Sequence, residues 1–509
     1  TDKLIDDDGD TYYVDGNGVM VTNTWVKVVN EDQDDDDPAE YRYYYMQSSG
    51  KAYKAGDSSN VKFKTIDGKK YAFDDDGKML YGWVNDDSTL ATDDSDWEDA
   101  EYYLGSWEDG SMKTGWQKIT VYDQDEDDDY DYWFNFKSNG KKRFNESDSK
   151  DILEKKINGK HYAFDNRGVM TYEWTLTTTS DASTISNWLY FNSPEDGARA
   201  TKGWFKVVAP DKDGDDNTFK DYSNLENPTF AKGDAEDENE RWYYANSDGE
   251  LYVGQIKKIK GKYYGFAPEG NKAGSMLTGL CALRVDNSGN ITKLWARNMD
   301  SDDLDDAMNG EGDFVGFGSD TNDTLYYFGS NEDSDGALKT GSVSVNLDGD
   351  NYQFQFSKTG GAEGKGRGVN GVDDGKYIYM FGMKVKADSD DKYIVVYADG
   401  DTGASDVTVH KIDTAALRRD AVERGQNKDG TVSYVGELVG TSTTNGKYYL
   451  VNTSGTIVKN KTSAKDGNDW YFYVDNKVIK MYTNNNTLSV DSKKAELKDT
   501  AGNALKDWK

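Results

Sequence analysis

The apolar positions of this chain are largely aromatic, and they come in short alternating runs that close on Gly turns. In "RWYYANSDGELYVGQIKKIKGKYYGF" (241–266), Trp242-Tyr243-Tyr244 leads to Asp248-Gly249 and Gly254, and Tyr263-Tyr264 then opens the same phrase again. The run "KKYAFDDDGKMLYGW" (69–83) shows what one phrase predicts. Alternation places Tyr71 and Phe73 on one face of a strand. Asp76-Gly77 has the composition of a short hairpin turn, because Gly accepts the positive φ such a turn demands. Met79 then returns along a partner strand, which makes a β-hairpin. A lone hairpin is marginal in water, so its aromatic face must be covered by the next one.

The phrase recurs as "TYYVDGNGVMVTNTWVKV" (11–28), "INGKHYAFDNRGVMTYEW" (157–174), "NWLYFNSPEDGARATKGWFKV" (187–207) and "LYYFGSNEDSDGALKTG" (325–341), among others. This periodicity predicts an all-β fold, a solenoid of stacked two-stranded hairpins. Acidic segments interrupt it: "NEDQDDDDPAE" (30–40), "DDSDWED" (93–99), "DQDEDDDYD" (123–131), "GDAEDENE" (233–240) and "DSDDLDD" (300–306). They read as solvated loops inserted at hairpin connections. The phrases are regular over 1–280 and divergent over 281–509, with nothing clear in 283–324. One short helix is expected near 413–425, with Asp413 as N-cap and Gly425 as the stop.

Composition fits this picture: of 509 residues 35% are hydrophobic, 36 are Tyr, 52 are Gly and only 5 are Pro. Tyr and Trp must therefore supply the apolar area that Leu, Ile and Val supply elsewhere. A net charge of −34 argues against nucleic acid and against insertion into or binding of an anionic membrane, since both need a basic footprint. No run of apolar residues is long enough to span a bilayer. The chain starts at Thr1, which reads as a processed or trimmed chain whose export signal is out of view.

One Cys and two His exclude an intrachain disulfide and a zinc site of Cys/His spacing. Cys281 sits among Leu280, Ala282 and Leu283, as a buried thiol does. "GRGVNG" (366–371) satisfies G-x-G-x-x-G only by count, since it neither ends a βαβ strand nor opens a helix. Carboxylates are too abundant to mark a glycosidase pair. The chain therefore reads as non-enzymatic and without a cofactor, calcium aside. Asp211, Asp213 and Asp215 alternate oxygen ligands in "DKDGDD" but lack the distal Glu of a calcium loop.

The aromatic clusters with Asp-Gly, as in Trp242-Tyr243-Tyr244 with Asp248-Gly249, and the pairs Gly82-Trp83, Gly115-Trp116 and Gly203-Trp204 resemble the cell-wall-binding repeats of Gram-positive bacteria. That family takes in choline-binding repeats, glucan-binding repeats of glucansucrases and the C-terminal repeats of clostridial toxins. The stretches 364–396 and "YYLVNTSGTIVKN" (448–460) are similar to segments of such proteins. The resemblance implies an extracellular, cell-surface protein whose ligands sit between successive hairpins, a quaternary ammonium caged by rings or a sugar stacked on them.

Carried over, Trp83, Trp116 and Trp204 match the Gly-Trp position, and Tyr102, Trp133, Trp188 and Trp242 match the aromatic cluster; Tyr244 and Tyr264 complete the candidate ligand residues. The same rings are also expected to serve as core. The sequence departs from the choline pattern: Gly254-Gln255 and Gly279-Leu280 lack the Trp, Thr24-Trp25 and Glu173-Trp174 lack the Gly, and Tyr replaces Trp in most clusters. Such a surface suits carbohydrate, bound with avidity by many weak sites. The alternatives are a surface fibre or spacer joined head to tail through uncapped ends, and a choline-binding anchor or host adhesin.

Overall fold

The computed structural model describes the chain except residues 36, 57–58, 125–126, 148–151, 178–183, 209–239, 270–271, 362–363, 425–433, 440–446, 476–477 and 485–509. It is built mostly of antiparallel strands and divides into two compact units. The first is Thr1–Glu240 with Tyr244–Leu251, and the second is Arg241–Tyr243 with Tyr252–Lys509. Among the described residues no helix is long and apolar enough to cross a membrane.

The first unit is a succession of two-stranded hairpins. They pair β1 (Lys3–Asp7) with β2 (Asp10–Val14), β3 (Thr24–Val29) with β4 (Tyr41–Met46), and β5 (Lys64–Ile66) with β6 (Lys69–Tyr71). Next come β7 (Trp83–Val84) with β8 (Tyr102–Tyr103), and β9 (Gly115–Asp123) with β10 (Asp128–Phe136). β11 (Leu153–Ile157) pairs with β12 (Lys160–Phe164), and β13 (Glu173–Leu176) with β14 (Trp188–Phe191). β15 (Gly203–Val208) and β16 (Glu240–Ala245) follow.

The pairing corrects one reading of the sequence. The aromatic strand pairs with the strand before it, so the two-residue turn of β5–β6 is Asp67-Gly68, at φ 49° and 81°. Both positive values are what a type I′ turn requires. Asp76-Gly77 closes a different loop. There the Asp74 Oδ1 accepts from the N–H groups of Asp76 (3.0 Å) and Lys78 (2.7 Å), and Met79 makes a single bridge to Phe73 rather than a strand. The same side-chain-to-backbone closure recurs at Asp15, Asp165, Asn246 and Asp286.

Successive hairpins are tied at one register position. The backbone N–H of Met79 donates to the Tyr43 carbonyl (2.8 Å), that of Lys142 to Glu101 (2.7 Å) and that of Met170 to Trp133 (2.8 Å). The side chain at this position covers the turn Gly of the following hairpin, and a Cβ at Gly110 or Gly197 would run into Met79 or Met170. Each interface consequently buries its own small apolar cluster, such as Val26, Tyr44, Met46 and Ala52, or Ile66, Phe73 and Met79.

The second unit opens on one more hairpin, β17 (Gln255–Ile259) with β18 (Lys262–Phe266), and then changes character. β19 (Leu280–Val285) is the centre of a three-stranded sheet between β20 (Ile291–Ala296) and β21 (Asp323–Tyr327). Sheets of five, four and four strands follow within 341–483. The three-stranded, five-stranded and first four-stranded sheets share an extended apolar core that includes Leu280, Leu304, Phe354, Ile378, Val396 and Val451. The last four-stranded sheet buries Phe472, Ile479 and Met481 in a second cluster with Leu417 and Leu450.

Several acidic segments are not the solvated loops expected. Asp96–Asp99 forms a one-turn helix, α1, that buries Trp97 (4% exposed). Asp123 is fully buried at the end of β9. Asp37 pairs with Arg42 and accepts from the Tyr81 hydroxyl (2.7 Å). "DSDDLDD" becomes α2 (Ser301–Asn309), started by a capping box between Asp300 and Asp303 and held by buried Leu304, Ala307 and Met308. α3 (Thr414–Arg424) begins where expected, with the Asp413 carboxylate accepting from the Ala416 N–H (3.0 Å). Gly425 and most of 233–240 lie outside the described residues.

Candidate aromatic binding site

Strand alternation puts one Trp on the outer face of several hairpins, directly across from an aromatic on the partner strand. Trp25 stands opposite Tyr45 and Trp83 opposite Tyr103. The following hairpin then supplies two more rings. Trp25 meets Tyr45, Tyr71 and Phe73 with ring centroids at 5.3, 4.9 and 5.8 Å. Trp83 meets Tyr103, Phe134 and Phe136 at 5.1, 5.0 and 6.0 Å. Trp116, opposite Asn135, meets Tyr162 and Phe164 at 4.8 and 5.6 Å. Half of these contacts are edge-to-face, an arrangement favoured by ring quadrupoles, and the others are tilted or stacked. The outer rings Trp25, Tyr45 and Tyr71 are half-buried, as are Trp116 and Tyr162, so part of each ring is left to solvent.

Loss of Gly before the Trp does not remove the cluster. What the chain needs there is a residue with positive φ, supplied by Gly82 (62°) and Gly115 (71°), but also by Glu173 (55°) before Trp174 and by Asn23 (50°) before Thr24-Trp25. Trp25, discounted by sequence because Thr24 precedes it, therefore sits in a complete cluster. Its signal was the facing aromatic strand "YRYYYM".

The Trp83 cluster differs in being more filled, although Trp83 and Tyr103 are themselves half-buried. Trp97 of α1 packs on Trp83 (6.4 Å) and Phe134 (5.8 Å), and its indole N–H donates to the Tyr122 carbonyl (2.9 Å). Lys142 holds the place that Met79 holds beside Trp25 and Met170 holds beside Trp116. Its Nζ lies 5.3 Å from the Trp83 ring centroid and donates to the Trp97 and Glu98 carbonyls (2.9 and 2.7 Å). Burial pulls this amino group down to about 7.

Arg167 stacks over Trp97 and Tyr132, and reaches Asp123 (3.0 Å) and Asp165 (3.1 Å), both fully buried. Burial disfavours its charge, but the two carboxylates outweigh that and raise its pKa. Burial raises the Asp165 carboxyl. The Tyr132 hydroxyl donates to Asp123 (2.7 Å).

The remaining candidates divide between surface and core. Trp133 is half-buried beside Trp116 (6.5 Å), and its indole N–H donates to Glu195 (3.1 Å), which also pairs with Lys118 (2.8 Å). Those two bonds hold the Glu195 carboxyl below its ordinary range. Trp242 donates likewise to Asp333 (2.9 Å). Trp204 packs edge-on to Tyr244 (5.1 Å), and Tyr264 is half-buried on β18 opposite Lys257.

Two candidates are corrected. Trp188 is fully buried and Tyr102 is 5% exposed, its hydroxyl turned to Asp86 (3.2 Å) and pushed up to about 12 by burial. Both belong to the core, because their strands turn those positions inward. Cys281 is buried, its thiol pushed up to about 11. Among the described residues no group of three or more His, Cys, Asp or Glu is placed to hold a metal ion. Asp211, Asp213 and Asp215 lie outside the described residues.

No protein-family model matches the chain. Over 191 residues it is 31% identical to glucosyltransferase-S of Streptococcus mutans, a match that takes in 36% of this chain and 11% of that protein. Among solved structures it is similar to CbpJ of Streptococcus pneumoniae, at 16% identity and TM-score 0.35, over 69% of this chain and 97% of that one. It is also similar to choline binding protein F of the same species, at 17% identity and TM-score 0.34, over 69% and 96%. The choline-binding domain of CbpL from that species shares 20% identity at TM-score 0.28, over 55% and 100%. In its repeated aromatic hairpins the chain resembles the choline- and glucan-binding repeat proteins of Gram-positive bacteria.

Proposed function

We propose that this protein is a non-catalytic, extracellular repeat protein that binds a glucan-type or cell-wall carbohydrate at the aromatic clusters between its hairpins, and that the linked hairpins wind as a solenoid. The observation that carries the reading is the Trp25 cluster. Four rings from two consecutive hairpins converge there with half-open edges, and polar groups flank them. A pyranose offers one apolar C–H face to such rings while its hydroxyls reach the rim. The Trp116–Trp133 cluster repeats the arrangement, with Glu195 and Lys118 as the rim. Carbohydrate is favoured over a quaternary ammonium because the most enclosed cage, at Trp83, already holds an amino group of the chain itself. Weak sites repeated along one chain add up through effective concentration.

The test is retention on insoluble glucan and on purified Gram-positive cell walls. Substituting Trp25, Trp116 and Trp204 with Ala, singly and together, should lower retention stepwise, by up to about tenfold per site. A folded triple variant that is retained like the wild type would sink the proposal.

One observation favours the fibre reading. Large apolar side chains are exposed near the start of the chain: Ile5 (38%) on the first hairpin, and Val19 (59%) and Met20 (47%) in the segment that follows it. If these side chains join copies of the chain, light scattering will show mass rising with concentration; a constant monomer mass removes this second reading.

A further inference from the structure

Hairpin β3–β4 carries more ring surface than the cluster at Trp25 uses. Trp25, Lys27 and Val29 face Tyr45, Tyr43 and Tyr41 across the ladder, so all six side chains lie on one face. Trp107 reaches this face from the turn Ser106–Gly110, with its ring centroid 6.4 Å from Tyr41 and 6.5 Å from Tyr43 and with interplanar angles of 36° and 34°. Trp107, Tyr41 and Tyr43 are all half-buried, and Val29 is 63% exposed.

The turn that presents Trp107 is pinned. The N–H groups of Asp109 and Gly110 donate to the Ser106 carbonyl (3.0 and 2.9 Å), and the Asp109 carboxylate holds Ser111 (2.9 Å), Lys69 (3.3 Å) and Lys113. The ring is thereby pre-positioned. The equivalent turn Ser193–Gly197 makes the same backbone bonds but places Pro194 after its Ser, and there Glu195 lies against Trp133 instead. The ring platform is thus specific to β3–β4.

We infer that Trp107, Tyr41 and Tyr43 form a second saccharide-stacking subsite, continuous with the Trp25–Tyr45–Tyr71 cluster, so that this hairpin binds an extended neutral oligosaccharide rather than a single sugar. The inference rests on the carbohydrate reading proposed above. From Tyr41 to Tyr45 the strand advances about 13 Å, at roughly 3.3 Å per residue, and the rings flanking its two ends lengthen the strip further. Such a strip suits a chain of a few hexoses. Neutral character follows from charge: at −34 overall the protein repels a polyanionic polymer. A cationic ligand would compete with Lys27, whose Nζ already lies 4.4 Å from the Tyr41 ring centroid. That ammonium and the neighbouring Glu108 are left at the edge to bond sugar hydroxyls.

The experiment is a calorimetric titration of the whole chain with isomalto-, malto- and chito-oligosaccharides of two to seven units. In the wild type affinity should climb with length for the series that binds. Trp107→Leu, which keeps an apolar side chain without a ring face, should lower affinity for the longer members about tenfold and leave the disaccharide unchanged. Trp107→Phe should stay within about twofold of wild type at every length. Trp25→Ala should weaken all lengths. If Trp107→Leu binds every length like the wild type, or loses disaccharide and heptasaccharide equally while remaining folded, the second subsite is wrong and the Trp25 site stands. If the wild type binds none of the three series, the carbohydrate reading falls and this inference with it.

Discussion

Trp25 and Trp83 occupy the same place in their hairpins, each half-buried, facing a half-buried Tyr and meeting two rings of the next hairpin, yet the second cluster is packed with more of the chain's own side chains. Around Trp25 the adjoining side chain is Met79 and the charge on the same face of the hairpin is Lys27; the Arg42–Asp37 pair, each side chain 18% exposed, starts from the opposite face. Around Trp83 the adjoining side chain is Lys142, 2% exposed, and one acidic insertion has folded back to place Trp97 in the cluster while another begins at buried Asp123. Burying ionisable groups is costly unless each is paired. Arg167, Asp123, Asp165 and Tyr132 provide the pairing, and the carbonyls of Trp97 and Glu98 take the Lys142 amino group. The same cross-strand placement of the Trp therefore yields a cluster open at its edge in one place and one filled by the chain's own side chains in the other. The difference comes from two insertions and one residue of the Met register.

The largest effect expected from this contrast is in the buried network. Arg167→Ala leaves Asp123 and Asp165 buried without their cation and should cost about 3–5 kcal/mol, read as a shift in the urea unfolding curve followed by Trp fluorescence. Arg42→Ala, which removes the partner of the more accessible Asp37, should cost only about 1 kcal/mol. Equal losses would mean that the deeper burial of the Arg167 network does not set its cost.

Lys142→Met makes the Trp83 cluster chemically like its neighbours. Burial holds the wild-type amino group at about 7, against about 10.4 for an unfolded lysine. Between those values the unfolded chain binds the extra proton, so wild-type stability rises as pH climbs from about 7 towards 10 and is lowest below that window. At pH 6 the Met variant should exceed the wild type by about 1–3 kcal/mol, and the gap should narrow by pH 9. Parallel pH profiles for the two proteins would show that Lys142 is not the group responsible.

The smallest effect concerns the residue before each Trp. Gly82 and Gly115 take positive φ without strain, whereas Glu173 takes it at 55° with a side chain attached. Glu173→Gly should raise stability by about 0.5–1 kcal/mol, seen as a modest increase in melting temperature. A decrease would mean that the contacts of the Glu173 side chain outweigh its backbone strain.

Much of this was legible in the chain because hairpins are local. Asp67-Gly68 and the Asp74 loop each act over a few residues, so turn composition marks such sites even though Asp76-Gly77, rather than Asp67-Gly68, was read as the hairpin turn. Helix α3 was legible from Asp413. Helix α2 was not, although Asp300 three residues before Asp303 and the spacing of Leu304, Ala307 and Met308 were present. The acidic composition of 300–306 masked them. Which rings face solvent was harder to read. In "YRYYYM" nearly every position is aromatic, so alternation alone does not say which set turns inward. Trp188 and Tyr102 were misplaced for that reason, and Trp25 was passed over because Gly, rather than positive φ, was taken as the requirement.

By itself the sequence determined the unit of construction, an aromatic strand returned by an Asp/Asn-Gly turn, since I′ geometry and side-chain-capped loops depend on adjacent residues. It also determined that such units must lean on one another, because one hairpin cannot bury its rings. Only the tertiary structure decided which clusters are filled by distant parts of the chain. The Lys142 amino group meets the Trp97 carbonyl across 45 residues, Arg167 meets Asp123 across 44, and Trp107 lies on Tyr41 from a turn two hairpins later. Those partners are fixed by hairpin stacking, which no local pattern encodes, and they set whether an aromatic face is covered by the chain itself or left partly at the surface.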